Sequence, residues 1–108
     1  MAKGMGNFGN MQGMMQKMQK VQKEMEAEQA AIEASVFEAS DNNQLVTVKM
    51  TGRKQLVELN IAEALVDPED VEMLQDLILA TVNDALNQVD ETTKQRLGKF
   101  TQGLNLPF

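Results

Sequence analysis

Cysteine, histidine, tryptophan and tyrosine are all absent from this 108-residue chain. Without cysteine there is neither a disulfide framework nor a thiolate metal site. With histidine missing as well, the commonest general base, the commonest transition-metal ligand and the thiol nucleophile are lost together, so any catalysis would have to rest on carboxylates. No catalytic residue, metal, cofactor or small-molecule substrate is expected, and the chain reads as a non-enzyme. Long hydrophobic runs are missing too. The opening Met1-Ala2-Lys3-Gly4-Met5-Gly6-Asn7-Phe8-Gly9-Asn10 offers no signal-peptide core. Nothing later approaches the roughly 20 apolar residues of a membrane span. A soluble cytoplasmic protein without membrane contact is expected.

What is present is strongly segregated charge. All sixteen acidic residues lie between Glu24 and Glu91. Residues 1–23 carry +4 from Lys3, Lys17, Lys20 and Lys23; residues 24–91 carry −13; residues 92–108 carry +3 from Lys94, Arg96 and Lys99. A net charge of −6 therefore hides two basic ends. If folding brings those ends together, an acidic protein gains a local positive surface suited to a phosphate backbone. A chain of this size forms one domain with a modest core, and association with a second copy would add to its stability.

Residues 1–10, rich in glycine and asparagine, read as a flexible arm. From there Met11, Met14, Met18, Val21, Met25, Glu28 and Ile32 recur at alternating spacings of three and four, a heptad seam among good helix formers that predicts a coiled-coil-like helix over residues 11–32. Glu28 breaks the apolar rule. Residues 35–40 form a weak strand candidate, Asp41-Asn42-Asn43 a turn, and residues 45–51 alternate Leu45, Thr47 and Lys49 against Val46, Val48 and Met50. Gly52-Arg53 turns the chain into residues 54–61, with Val57, Leu59 and Ile61 on one face and Leu56, Glu58 and Asn60 on the other. Asp67-Pro68-Glu69-Asp70 predicts a second helix over residues 68–98 with Asp67 as N-cap and Pro68 in the first position. Its apolar face is Val71, Leu74, Ile78, Val82, Ala85 and Val89, widened by Met73, Leu77 and Leu86. Residues 101–108 read as a loose tail, leaving residues 11–100 as a single domain.

Four stretches carry a resemblance to a known family: residues 12–26 with their Met-Gln-Lys repetition, the hairpin segment 45–52, the segment 67–77 leading into Val82-Asn83-Asp84-Ala85, and the Pro107-Phe108 terminus. Together they resemble the YbaB/EbfC family of nucleoid-associated proteins almost end to end. That resemblance implies an α+β fold with a long N-terminal helix, a three-stranded antiparallel meander and a long C-terminal helix. It also implies a tweezer-like homodimer that binds double-stranded DNA in the bacterial nucleoid.

The first helix runs toward the sheet and the second away from it, so Lys17, Lys20, Lys23, Lys94, Arg96 and Lys99 are expected together at the distal end, as flexible contacts to phosphates that bind without reading sequence. The bland alternative is that Lys94, Arg96 and Lys99 complement a helix C-terminus and the N-terminal lysines keep a Met-rich helix soluble. Met18, Val21, Met25, Leu74, Ile78, Val82 and Val89 are expected in the core or a dimer interface. The methionine stripe also admits a prefoldin-like holdase or a coiled-coil scaffold, since thioether side chains adapt to many apolar partners. Glu69, Asp70, Glu72 and Asp76 lack the spacing of a calcium loop and read as a solvated helix face. Asn83-Asp84 reads as a solvent-facing pair or a contact to a neighbouring turn.

Overall fold

A computed structural model describes the backbone of residues 2–102 and the side chains of residues 11–100. The elements follow as α1 (Ala2–Ala34), β1 (Val36–Ser40), β2 (Val46–Thr51), β3 (Leu56–Ile61), a single 3-10 turn (Glu63–Leu65) and α2 (Val71–Gln102). This is the expected helix, three-stranded meander and helix, with strand order β1-β2-β3 and both pairings antiparallel. Helix α1 starts at Ala2, inside the stretch 1–10 expected as an arm, and α2 runs to Gln102, inside the expected tail; the side chains of residues 1–10 and 101–108 lie outside the described residues.

Helix α1 ends where Ser35 supplies two closing contacts: its N–H donates to the Ile32 carbonyl at 3.0 Å, and its hydroxyl donates to the Ala31 carbonyl at 2.7 Å. The β1–β2 turn is organised by Asp41. Its carboxylate accepts the Val46 N–H at 2.8 Å and the Asn43 N–H at 3.1 Å, while Gln44 takes a left-handed backbone, φ 56°. The Val46 N–H, with smaller help from Asn43, holds the Asp41 carboxyl below its ordinary value of 3.8. A depressed pKa stabilises the fold above the ordinary value, and that contribution is lost as the pH falls through the lowered one.

Helix α2 starts later than the sequence predicts. Asp67 accepts the Glu69 N–H at 3.0 Å and its carbonyl accepts the Asp70 N–H at 3.0 Å, which closes a tight turn rather than a helix. Asp at the first turn position and Pro at the second suit a type I turn as well as they suit a helix start. The cap is instead Asp70, whose carboxylate accepts the Met73 N–H at 3.4 Å.

The core forms because β2 alternates strictly. Val46, Val48 and Met50 are buried and join Ala39, Leu65, Ala85 and Val89 in one cluster, with Phe37, Ile61, Leu74, Ile78 and Val82 packed around it. Helix α2 lies across β1 and β2 and barely reaches β3. Its far half runs beside α1, where Ile32 is buried and Val21 and Met25 are half-buried. Met18, by contrast, is exposed, as are Met11, Met14 and Met15.

Gly52 sits where the β2–β3 turn meets the end of α1. A Cβ there would collide with the Ile32 carbonyl oxygen and lie 2.8 Å from the Glu33 Cα, whereas one at Gly13 would meet nothing within 4 Å. Gly52→Ala is therefore expected to destabilise by on the order of 1–3 kcal/mol. Gly13→Ala, in an exposed helical turn, should raise stability by about 0.5–1 kcal/mol. Denaturant titration of both variants checks the pair; equal midpoints would show that the close approach is not real. Val89→Asp, which buries an unpaired charge, should cost about 3 kcal/mol or more, with Glu72→Ala near neutral by the same measurement.

Candidate nucleic-acid interface

The seam residue that breaks the heptad rule finds its reason here. Glu28 faces α2 and binds the Arg96 guanidinium through Nε, both side chains being partly shielded from solvent. An acid inside an apolar seam needs a cation from the facing helix. The lone arginine among residues 92–99 was the available signal for it. Of the six cations expected at the distal end, Arg96 is thus committed within the protomer.

The cations of the acidic middle are likewise matched. Lys49 lies 3.5 Å from Glu58, Arg53 lies 3.5 Å from Glu33 and Lys54 lies 2.8 Å from Asp90. Two of these pairs pin the β2–β3 turn to the end of α1 and the middle of α2. Lys17, Lys20, Lys23, Lys94 and Lys99 are exposed, and none has a carboxylate within ion-pair distance among the described residues. Lys99 Nζ instead sits 5.2 Å from the Phe100 ring centroid.

Glu28 and Arg96 also fix the level at which the antiparallel helices pass. Counted from that pair at about 1.5 Å per residue, Lys99, Lys23, Lys20 and Lys17 lie roughly 5, 8, 12 and 17 Å toward the free helix ends, and Lys94 about 3 Å toward the sheet. The two basic clusters do meet along the axis. They do not share one face. At about 100° per residue, Lys23 lies nearly opposite the seam on α1, and Lys94 nearly opposite Arg96 on α2. The lysines form a collar round the helix pair rather than a flat patch, and Glu24 and Glu26 on the same turns of α1 dilute it.

The remaining expectations find other places. Leu74, Ile78 and Val82 pack on the core and Val89 lies within it. Asn83 and Asp84 are exposed, and Asp84 stands at the rim of a cleft of about 370 Å³ between the β1–β2 turn and α2, lined also by Ser40, Asp41 and Thr81. The Asp41 carboxylate there is taken by backbone N–H groups, and the buried Thr81 hydroxyl donates to the Leu77 carbonyl at 2.7 Å. Among the described residues no group of three or more acidic side chains converges as a metal site, and no helix is long and apolar enough to cross a membrane.

The model of the YbaB/EbfC DNA-binding family matches residues 5–104. A nucleoid-associated protein of Listeria monocytogenes is 55% identical over 103 residues, covering 95% of this chain and 98% of that protein. One from Oceanobacillus iheyensis is 50% identical over 99 residues, covering 92% and 95%. Among solved structures, an uncharacterized protein from Helicobacter pylori superposes with a TM-score of 0.60 at 24% identity, over 72% of this chain and 90% of that one. That likeness shows the fold.

Because Glu28 would be left beside an apolar seam without its partner, Arg96→Ala should lower stability by about 1 kcal/mol, a figure discounted for partial exposure. Lys94→Ala should leave it unchanged. Replacing Glu28 and Arg96 together by leucine should restore most of the loss. Thermal melts of the three variants decide this, and an Arg96→Ala protein as stable as Lys94→Ala would show that the pair contributes nothing to helix pairing.

Proposed function

Because the chain belongs to the YbaB/EbfC DNA-binding family, we propose that it is a nucleoid-associated protein that holds double-stranded DNA by its backbone through the lysine collar. It acts as a homodimer in the bacterial cytoplasm, and with a collar on each protomer it bridges or bends DNA and so affects gene expression. The observation that carries this reading is the sorting of cations. Lys49, Arg53, Lys54 and Arg96 are neutralised within the fold, while the exposed lysines gather around the last turns of α2 and the middle of α1. A protein with −13 between residues 24 and 91 repels a phosphate backbone everywhere else, so the orientation of binding follows from electrostatics alone. Lysines pointing in several directions suit phosphate contact, which positions a protein without specifying sequence.

The homodimer is supported by apolar surface left uncovered on the protomer. Met11, Met14, Met15 and Met18 are exposed on α1, and Leu56, Val57 and Leu59 are exposed on β3. The methionine stripe also favours a second reading, a holdase that captures apolar segments of other proteins. Ionic strength separates the two, because phosphate contacts weaken steeply with salt whereas apolar capture persists or strengthens.

Each lysine in contact with a phosphate should add about −0.9 to the slope of log affinity against log salt, and its removal should flatten the slope by that amount. Fluorescence anisotropy with random duplex DNA at several salt concentrations measures this. Lys20→Glu combined with Lys94→Glu should abolish binding on every sequence while leaving the melting temperature unchanged. Binding by that variant with the parent's affinity and slope would move the DNA surface elsewhere.

A further inference from the structure

We propose that Met11, Met14, Met15 and Met18 form a reversible modification site, at which an oxidant of the peroxide class turns thioethers into sulfoxides, loosens the projecting part of α1 and releases DNA. The release step rests on the reading of the lysines as the DNA contact; the modification itself does not.

Sulfur chemistry in this chain belongs to methionine alone. There are nine methionines and no cysteine, so no thiol stands ahead of the thioethers as a target for an oxidant. Their surroundings sort them. Met50 is buried in the core cluster and Met25 is half-buried in the helix seam, whereas Met11, Met14, Met15 and Met18 are 63%, 64%, 60% and 54% exposed. Met73 is exposed too, but it stands alone on the first turn of α2. In the reaction a sulfur lone pair attacks one oxygen of hydrogen peroxide, the S–O bond forms as the O–O bond breaks, and the departing hydroxide takes the proton from the transferred oxygen. Sulfoxide and water result, sulfur having given two electrons to the peroxide. A methionine sulfoxide reductase reverses the step, two thiols becoming a disulfide while the oxygen leaves as water.

The placement of the four gives the modification its consequence. Glu28 and Arg96 pass at the same level, and α2 runs on to Gln102, roughly 9 Å past Arg96, so that it ends level with about Gln22 of α1. Helix α1 continues beyond that level, and residues 11–20 are all exposed. A helix without packed neighbours is marginal. This one also carries Gly13, where a Cβ would meet nothing within 4 Å, so the glycine weakens the helix without serving a contact. What favours helix here is residue preference, with methionine among the good formers. Sulfoxidation replaces an apolar chain with a polar one whose oxygen competes for backbone N–H groups, the reason that short polar side chains disfavour helix interiors. At about 100° per residue Lys20 lies on the side of α1 opposite the thioethers. The effect therefore passes through the helix and not through a direct contact. Lys17 and Lys20 lie past the end of α2, whereas Lys23, Lys94 and Lys99 lie beside it. Loosening this segment unfixes the outer lysines, and DNA must then order it on binding, which lowers affinity.

Dilute hydrogen peroxide added to the intact protein, followed by peptide mass spectrometry, should oxidise Met11, Met14, Met15 and Met18 well before Met25 and Met50. Helical circular dichroism should fall, and the dissociation constant for random duplex DNA at low salt should rise about fivefold or more. Both should recover with methionine sulfoxide reductase and a thiol. Met11→Leu, Met14→Leu, Met15→Leu and Met18→Leu combined should keep the parent's affinity and make it indifferent to peroxide, while Met73→Leu responds as the parent does. Gly13→Ala, which strengthens the helix, should shrink the response. Protection of the four methionines in the intact protein overturns the proposal, because it would mean that another surface covers them. So does their full oxidation with affinity and helix content unchanged, or an undiminished response in the fourfold leucine variant. If the untreated protein does not bind DNA, the collar reading fails, and the site is decided by the peptide pattern and by a loss of helix that the leucine variant does not show.

Discussion

Val46, Val48 and Met50 of β2 lie under Ala85 and Val89 of α2, and this narrow contact lets two long helices leave a small sheet side by side. A three-stranded sheet cannot shelter a helix of 32 residues along its whole length. The first half of α2 therefore covers β1 and β2, and the second half must find α1. The chain gains a projecting helix pair by spending its apolar sheet face on two strands instead of three, which leaves β3 uncovered. The projection and the uncovered strand are consequences of the same packing choice.

Charge follows the same division. Around the sheet and the root of the helix pair, cations are paired with acids across element boundaries, so that Lys54 and Arg53 hold the β2–β3 turn against both helices. Farther out there is no core to stabilise, and the lysines stand in solvent without acidic partners among the described residues. Exposed ion pairs stabilise little individually. Their effect here is on the distribution of potential, since they cancel positive charge wherever DNA contact would force the acidic body against phosphates.

Much of this was legible in the residues. The seam spacing located α1, and strict alternation in β2 named Val46, Val48 and Met50 as an inward set. The charge count showed that two basic ends would meet if the helices ran antiparallel. Other features depended on tertiary neighbours. Asp67-Pro68 suits a type I turn and a helix start equally, and only the bonds from Glu69 and Asp70 resolve it in favour of the turn. Alternation in β3 separated Leu59 from Glu58 but wrongly grouped Leu56 with Glu58 and Asn60, because an irregularity after Leu56 sets that residue opposite the buried Met50, and it could not tell that α2 stops short of the strand. Glu28 signalled a conflict whose resolution by Arg96 required the register of the helix pair. That register also removes one cation from the candidate interface and turns the expected patch into a collar.

The most direct test of DNA binding through the collar is residue-resolved: amide chemical shifts of the intact chain followed by NMR while random duplex DNA is added at low salt. The expected result is that perturbations concentrate on residues 17–23 and 94–99 and fade as salt is raised, with β2, β3 and the acidic start of α2 undisturbed. Perturbations centred on the sheet, or none at 17–23 and 94–99 under conditions where the DNA is bound, would contradict it.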